Sequence, residues 1–214
     1  MKLDMHGHTY WSSDSQLRLD DLERAIQRAG LDVVCITDHN EIGGALELQA
    51  RGKVRVIPGE EIRTSEGEII GLFLREKIPA RLSPQETIAA IREQGGIVYI
   101  PHPLDRFRGS RLQAAALAAV LDQVDVLEVF NSRNLLAGDN TRALRLARSR
   151  GLRQGAGSDS HTGHEVGHAY VDIADFQSAA DLLTALETAM IHGRRTNPLV
   201  HARTRLDKAV KRRS

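Results

Sequence analysis

The chain has 214 residues, enough for one α/β domain, and its 29 Lys and Arg against 28 Asp and Glu leave a formal net charge of +1. That balance excludes a global field of the kind that draws a protein to nucleic acid or to an anionic membrane. A single cysteine, Cys35, rules out a disulfide framework and makes a reducing, cytoplasmic compartment the expectation, and no run approaches the ~18 apolar residues of a membrane span.

The first predicted strand carries Leu3 and Met5 on one face and Asp4, His6 and His8 on the other, because residues two apart share a face of a strand. No apolar leader precedes it, so an unprocessed chain is expected. Leu19, Leu22, Ile26 and Ala29 recur at helical spacing up to Gly30. Asp32 to Thr37 is a nearly continuous apolar run that suits a strand buried on both faces, and it leads into Asp38-His39-Asn40 and a helix from Ile42 to Ala50. A strand from Val54 to Ile57 closes at Pro58-Gly59. Glu61 to Arg63 and Glu68 to Leu74 then read as a hairpin around Ser65-Glu66-Gly67.

Ser83-Pro84-Gln85-Glu86 opens a helix with a capping box and a proline at the first helical position; that helix stops at Gly95-Gly96. Ile97 to Ile100 delivers Pro101-His102-Pro103, Leu112 to Leu121 is helical, and Val126 to Phe130 is a strand. A helix over Asp139 to Ser149 ends at Gly151, and a short strand from Gln154 to Ala156 precedes Gly157-Ser158-Asp159-Ser160-His161. Ala169 to Ile173 is the last predicted strand and Ala179 to Met190 the last helix. This alternation predicts a parallel sheet with helical crossovers, either a barrel or doubly wound, in one domain over 1–202. Residues 203–214 form a basic tail expected to fray.

Five apolar runs end in His, Asp or Glu, and barrel enzymes gather their sites from the C-terminal ends of several strands. Neutral imidazoles at such ends anchor transition metals, so His6, His8, His39 and His102 are predicted ligands, with Asp159 and His161 sharing a face behind a Gly-Ser turn. Asp38 would point away from His39 and orient it. Of Glu60 and Glu61 only one can face a barrel axis, and spacing alone leaves the choice open.

The ordered set His6-Gly-His8-Thr with Asp14, Ile36-Thr37-Asp38-His39, Pro58-Gly59-Glu60-Glu61-Ile62, Pro101-His102-Pro103 and Gly157-Ser158-Asp159-Ser160-His161 resembles the motifs of the PHP (polymerase and histidinol phosphatase) family from residue 3 to about 173. The resemblance implies a distorted seven-stranded (β/α)7 barrel of the amidohydrolase type. It also implies two or three divalent metals, Mn, Fe or Zn with Mg as a further candidate, and phosphoester hydrolysis by a stand-alone protein. Carried over, it places His6, His8, Glu61 and Asp159 around one metal, Glu61 and His102 at a second, and Asp14, His39 and His161 around a third. Glu68 stands where the family commonly has a ligand His, and a carboxylate there makes the site harder and more anionic.

The expected chemistry is in-line attack on phosphorus by a metal-bridged hydroxide, with Asp38 or His161 assisting the leaving group. Arg106, Arg108, Asn131 and Arg133, in loops after predicted strands, are candidate substrate-binding residues. The expected partner is a small phosphorylated molecule such as a phosphomonoester or nucleotide, with nucleic acid only as a substrate and no membrane; 4% aromatic residues supply few stacking platforms. Two alternatives stand beside this reading: a non-catalytic metal- or partner-binding module, and a C–N bond hydrolase on the same barrel.

Overall fold

The apolar run Val33–Ile36 is buried on both faces, and it forms the second strand of a computed structural model that describes residues 1–200, Thr204 and Lys211. The strands are β1 (Lys2–Asp4), β2 (Val33–Ile36), β3 (Arg55–Thr64), β4 (Gly67–Leu72), β5 (Ile97–Ile100), β6 (Val126–Asn131), β7 (Arg153–Gly157), β8 (Ala169–Asp172) and β9 (Met190–Gly193). The helices are α1 (Leu19–Ala29), α2 (Gly43–Arg51), α3 (Pro84–Glu93), α4 (Ala114–Val120), α5 (Ala137–Arg150) and α6 (Ala179–Ala185). The strands make one sheet in the order β7-β6-β5-β4-β3-β2-β1-β8-β9.

The first seven strands curl into a ring. Past its last ladder residue β1 continues alongside β7, with the Met5 N–H donating to the Ala156 carbonyl at 3.1 Å and the Asp159 N–H to the His6 carbonyl at 2.8 Å. β1, β2 and β3 are parallel, as are β5, β6 and β7, whereas β4 runs antiparallel to both β3 and β5. This is the distorted barrel expected from the family resemblance, with two strands more than the seven expected. The additional pair, β8 and β9, is antiparallel and hangs from the opposite end of β1.

Alternation along the strands divides the core in two. Leu3, Met5, Val33, Cys35, Ile57, Tyr99 and Val126 fill the barrel interior, and Val34, Ile36, Val98 and Leu127 face the helices, where Leu22, Ile26, Leu48 and Ile91 cover them. The interior plug makes a floor beneath the strand ends that carry the polar residues. Gly157 lets β7 close against β1 there. A β-carbon at this position would lie 2.2 Å from the His6 β-carbon and 2.7 Å from Glu128 Oε1, so only glycine fits.

Two expected boundaries move. β3 runs unbroken through Pro58-Gly59 to Thr64, because Pro58 occupies the last register position against β2, where Gly59 takes up pairing with Leu72 of β4. The final helix stops at Ala185, one short 3₁₀ turn follows, and Met190 to Gly193 pair with β8 instead of extending the helix. The predicted frayed tail lies outside the described residues except for Thr204 and Lys211. Thr204 accepts a hydrogen bond from Arg133 at 2.5 Å, and the Lys211 ammonium donates to the carbonyls of Tyr10 and Ser12. No helix among the described residues is long and apolar enough to cross a membrane.

Candidate metal centre

Each strand end contributes through a short extension of its ladder. Beyond β1, Gly7 bridges to Ser160, and beyond β2, His39 bridges to Glu61 in β3. His6, His8, Glu61, His102, Asp159 and His161 thereby converge over the barrel floor, all buried. His102 (φ 32°) and Asp159 (φ 53°) sit in the left-handed region that costs non-glycine residues energy, and strain of this kind collects at functional sites.

The hydrogen-bond partners of the first two histidines set their tautomers. His6 Nδ1 lies 3.0 Å from Glu128 Oε1, a carboxylate that can only accept, so Nδ1 carries the proton and Nε2 a lone pair. His8 Nδ1 lies 3.1 Å from Ser12 Oγ, whose own proton goes to Asp38 Oδ1 at 2.7 Å, so His8 Nε2 is likewise a bare acceptor. The two Nε2 atoms nevertheless stand only 3.1 Å apart. Two lone pairs at that distance need a proton or a metal ion between them.

Glu61 Oε2 lies 3.4 Å from both nitrogens, and Asp159 Oδ1 lies 3.3 Å from His8 Nε2 and 3.8 Å from His6 Nε2. The edge of a tetrahedron of ligands bound at 2.0–2.1 Å is about 3.4 Å, so this quartet has the dimensions of a metal site. Glu61 turns its other oxygen to His102 Nε2 at 3.0 Å, and Glu68 Oε2 approaches the same nitrogen at 3.8 Å. Asp14 faces His39 Nε2 at 3.5 Å and His161 Nε2 at 3.3 Å. Asp14 Oδ1, Glu68 Oε2 and Asp159 Oδ1 are buried without a hydrogen-bond partner, and Glu61 Oε2 has the His39 Nδ1 at 3.0 Å. Orphaned buried carboxylate oxygens are costly in a metal-free protein and ordinary in a metal site. The residues present fit divalent cations.

The electrostatics agree. Burial disfavours a charged His6, but the charges of Asp159, Glu128 and Glu61 outweigh it and raise its pKa well above the usual value. Burial, with His161 and His39 adding to it, pushes His8 down to about 3, so His8 is neutral. Glu68 is raised by burial and by the charge of Glu61. Burial opposes the charge on Asp159 too, yet Arg108, whose Nη1 lies 2.7 Å from Oδ2, and His6 hold its pKa well below the usual range. In the metal-free protein a proton on His6 therefore stands in for the cation. Metal binding at pH 7 must release that proton, so apparent affinity is expected to rise with pH. Calorimetric titration in buffers of different ionisation enthalpy should show net proton release; a buffer-independent enthalpy would contradict this assignment.

Around these groups the structure places residues that the sequence reading passed over or used differently. Glu128 accepts from His6 Nδ1, the Tyr99 hydroxyl (2.9 Å), the His102 backbone N–H (2.5 Å) and Asn131 Nδ2 (2.9 Å). Ser12 joins His8, Asp38 and the His39 backbone N–H in one network. The sequence marks Glu128, within the apolar strand Val126 to Phe130, as a buried polar residue of the barrel, and the structure buries it there; nothing in the sequence marks Ser12.

Three expected roles are corrected. Asp38 is buried and accepts from the Thr9 N–H (2.6 Å), the Thr9 hydroxyl (2.7 Å) and the Ser12 hydroxyl, so it fixes the loop after β1 from beneath the site and does not face the cleft. Asn131 is buried, and its amide is spent on Glu128 and Asp159 Oδ2, so it positions ligands and does not face substrate. Arg106 is exposed, with its side chain on Asp139 outside the barrel mouth. Glu60, the open alternative to Glu61, points out of the barrel toward the Ile78 N–H.

Arg108 and Arg133 do reach the site. They line a cleft of about 710 Å3 together with Asp14, His39, Glu68 and His161. Arg133 Nη1 lies 2.6 Å from His161 Nδ1, and the Asp159 carbonyl lies 2.9 Å from the same atom. Arg133 can only donate, so here Nδ1 accepts and Nε2 carries the proton toward Asp14 Oδ1 at 3.3 Å; a ligand role for His161 Nε2 requires Arg133 to give up this contact and the Nδ1 proton to pass to the Asp159 carbonyl. Phe107, largely exposed, stands at the rim.

Comparison with known proteins follows the same lines. Residues 4–64 match the PHP domain model and residues 137–189 the PHP-associated model. The uncharacterized protein MJ0417 of Methanocaldococcus jannaschii is 36% identical over 213 residues, covering 96% of this chain and 85% of its own, and MJ1587 of the same organism is 42% identical over 146 residues. Among solved structures, PsfC of Pseudomonas syringae superposes with a TM-score of 0.72 at 18% identity, covering 98% of both chains. A provisionally assigned metal-dependent phosphoesterase of Bifidobacterium adolescentis gives 0.61 at 18% identity, covering 75% of this chain and 88% of its own. An amidohydrolase of Chromobacterium violaceum with bound sulfate gives 0.65 at 17% identity, covering 89% and 98%. At these identities the structures establish a shared fold.

Proposed function

The chain belongs to the PHP family, and from that premise we propose that it is a metal-dependent hydrolase of phosphoesters, with a small phosphomonoester or nucleotide as substrate. The observation that carries the proposal is the convergence of His6 Nε2 and His8 Nε2, 3.1 Å apart, with Glu61 Oε2 and Asp159 Oδ1 each within 3.8 Å of both. His6, His8, Glu61 and Asp159 would hold one ion, Glu61, Glu68 and His102 a second, and Asp14, His39 and His161 a third. Bound there, divalent ions supply positive charge for the phosphoryl oxygens and make water a nucleophile at neutral pH. The carboxylates in this set favour manganese, iron or magnesium over the zinc of an all-imidazole site.

The chain's own residues do the rest. Arg108 and Arg133 present guanidinium groups on the cleft wall, where planar donors match phosphate oxygens. Glu128 and Ser12 hold the Nδ1 protons of His6 and His8, so that both rings keep their lone pairs turned inward. Asp38 and Asn131 lock the loops on which the ligands sit. Arg108 and Arg133 already hold acidic partners, Asp159 for Arg108 at 2.7 Å and Glu165 for Arg133 at 3.3 Å, so a phosphate would compete with these carboxylates for the guanidinium groups.

Phosphate release from a panel of alkyl and aryl phosphomonoesters, nucleotides and a model diester tests the proposal. Turnover of at least one phosphoester is expected after loading with Mn, Fe or Zn and should vanish on chelation. Folded, metal-loaded protein that is inert on every member would sink it.

A further inference from the structure

On the outer face of the barrel, away from the metal cleft, α4, α5 and the loop after His102 enclose a groove of about 420 Å3, within the size range of small-molecule pockets, about 300–1,000 Å3. Its floor is apolar, made by Leu104, Leu112, Leu117, Leu121 and Leu146. Its rim is cationic. Arg106, Arg111, Arg142 and Arg150 all line it, and no acidic residue does.

The charges do not balance locally. Arg106 and Arg142 share a single carboxylate, that of Asp139, at 3.2 and 3.1 Å. Arg111 spends its Nη1 on the backbone carbonyls of Asp105 and Arg108. Among the described residues neither Arg111 nor Arg150 has a carboxylate at ion-pair distance. Four guanidinium groups thus face one carboxylate around a leucine floor, an excess that favours an anion seated with an apolar body beneath it.

We propose that this groove is a second binding site, and that its ligand is a small amphiphilic anion: a carboxylate on an unbranched apolar chain of medium length. The leucines would take the chain, and the arginines the head group. The groove and the metal cleft are two sides of one loop: Pro103, Leu104, Arg106, Arg111 and Leu112 turn outward, whereas Phe107, Arg108 and Ser110 line the cleft. The Arg111 bonds to the Asp105 and Arg108 carbonyls tie the rim of one to the wall of the other. A ligand on the outer face therefore bears on the segment that carries Arg108 to Asp159.

Calorimetric titration of the metal-loaded protein with decanoate, decanol and acetate separates chain from charge. Decanoate is expected to bind one to one, at least ten-fold tighter than either partial probe, and more weakly as salt rises. Ala118→Glu, at an exposed helical position on the groove wall, should weaken decanoate at least ten-fold while leaving the thermal midpoint and the phosphatase assay unchanged. Arg150→Gln should weaken it by a smaller factor in the same direction. Glu61→Gln should leave it unaltered, which separates the groove from carboxylate binding at the metals. Equal binding of decanol, decanoate binding insensitive to Ala118→Glu, loss of binding in Glu61→Gln, or association only with anionic phosphatidylglycerol vesicles would each overturn the proposal.

Discussion

Glu61→Gln is expected to lower phosphoester turnover by about 10³-fold or more, because a metal centre supplies several kcal/mol of transition-state stabilisation and this residue joins two of the predicted ion sites. Its Oε2 stands 3.4 Å from His6 and His8, and its Oε1 stands 3.0 Å from His102. An amide of the same shape keeps one weak acceptor and loses the charge. Gln cannot bridge two cations. Because the substitution is isosteric and the backbone of Glu61 is held in the β3–β4 ladder opposite Ile70, the fold should survive, and circular dichroism of the variant should match the parent. The expected signature is a kcat loss together with loss of bound metal; a kcat within ten-fold of the parent would remove Glu61 from the centre.

The second large effect is expected at a residue that touches no predicted ion. Glu128→Gln replaces the acceptor of four hydrogen bonds, from His6 Nδ1, the Tyr99 hydroxyl, the His102 N–H and Asn131. The neutral amide can turn an N–H toward His6 Nδ1. That ring would then shift its proton to Nε2 and lose the inward lone pair. Partners of this kind typically contribute about 10–100-fold to metal affinity, so competition titration with a chromophoric chelator should show a loss in that range. Asn131→Ala should cost less, since Asp159 keeps its contacts with Arg108 and His8. Unchanged affinity in Glu128→Gln would mean that the tautomer of His6 is set elsewhere.

Much of this could be read from the chain. The apolar runs located the strands, and the polar residues that follow them marked one end of a sheet, because a parallel barrel brings all its strand ends to the same face. The ordered motifs separated Glu61 from Glu60, which spacing could not do; in the structure Glu60 turns to the Ile78 N–H on the far side of β3. What stayed hidden depended on tertiary pairing. β9 goes unpredicted, with Met190 read as the end of the last helix, because its four residues, Met190 to Gly193, acquire their conformation from β8 and not from local propensity. Arg106 and Arg108 lie two apart in one loop, yet one folds outward to Asp139 and the other inward to Asp159, a difference no pattern encodes. Asp38 resembled a proton carrier only until Thr9 and Ser12, distant in sequence, held it beneath the site.

The account stands on cations occupying the space between the histidines and carboxylates, and metal analysis tests it most directly. Protein stripped with a chelator, reconstituted with Mn, Fe or Zn, freed of excess ion and assayed by mass spectrometry should retain two or three ions per chain. The Glu61→Gln variant treated in the same way should retain at least one fewer. Retention of less than one ion per chain by folded parent protein, with every metal offered, would contradict the metal centre and the hydrolysis built on it.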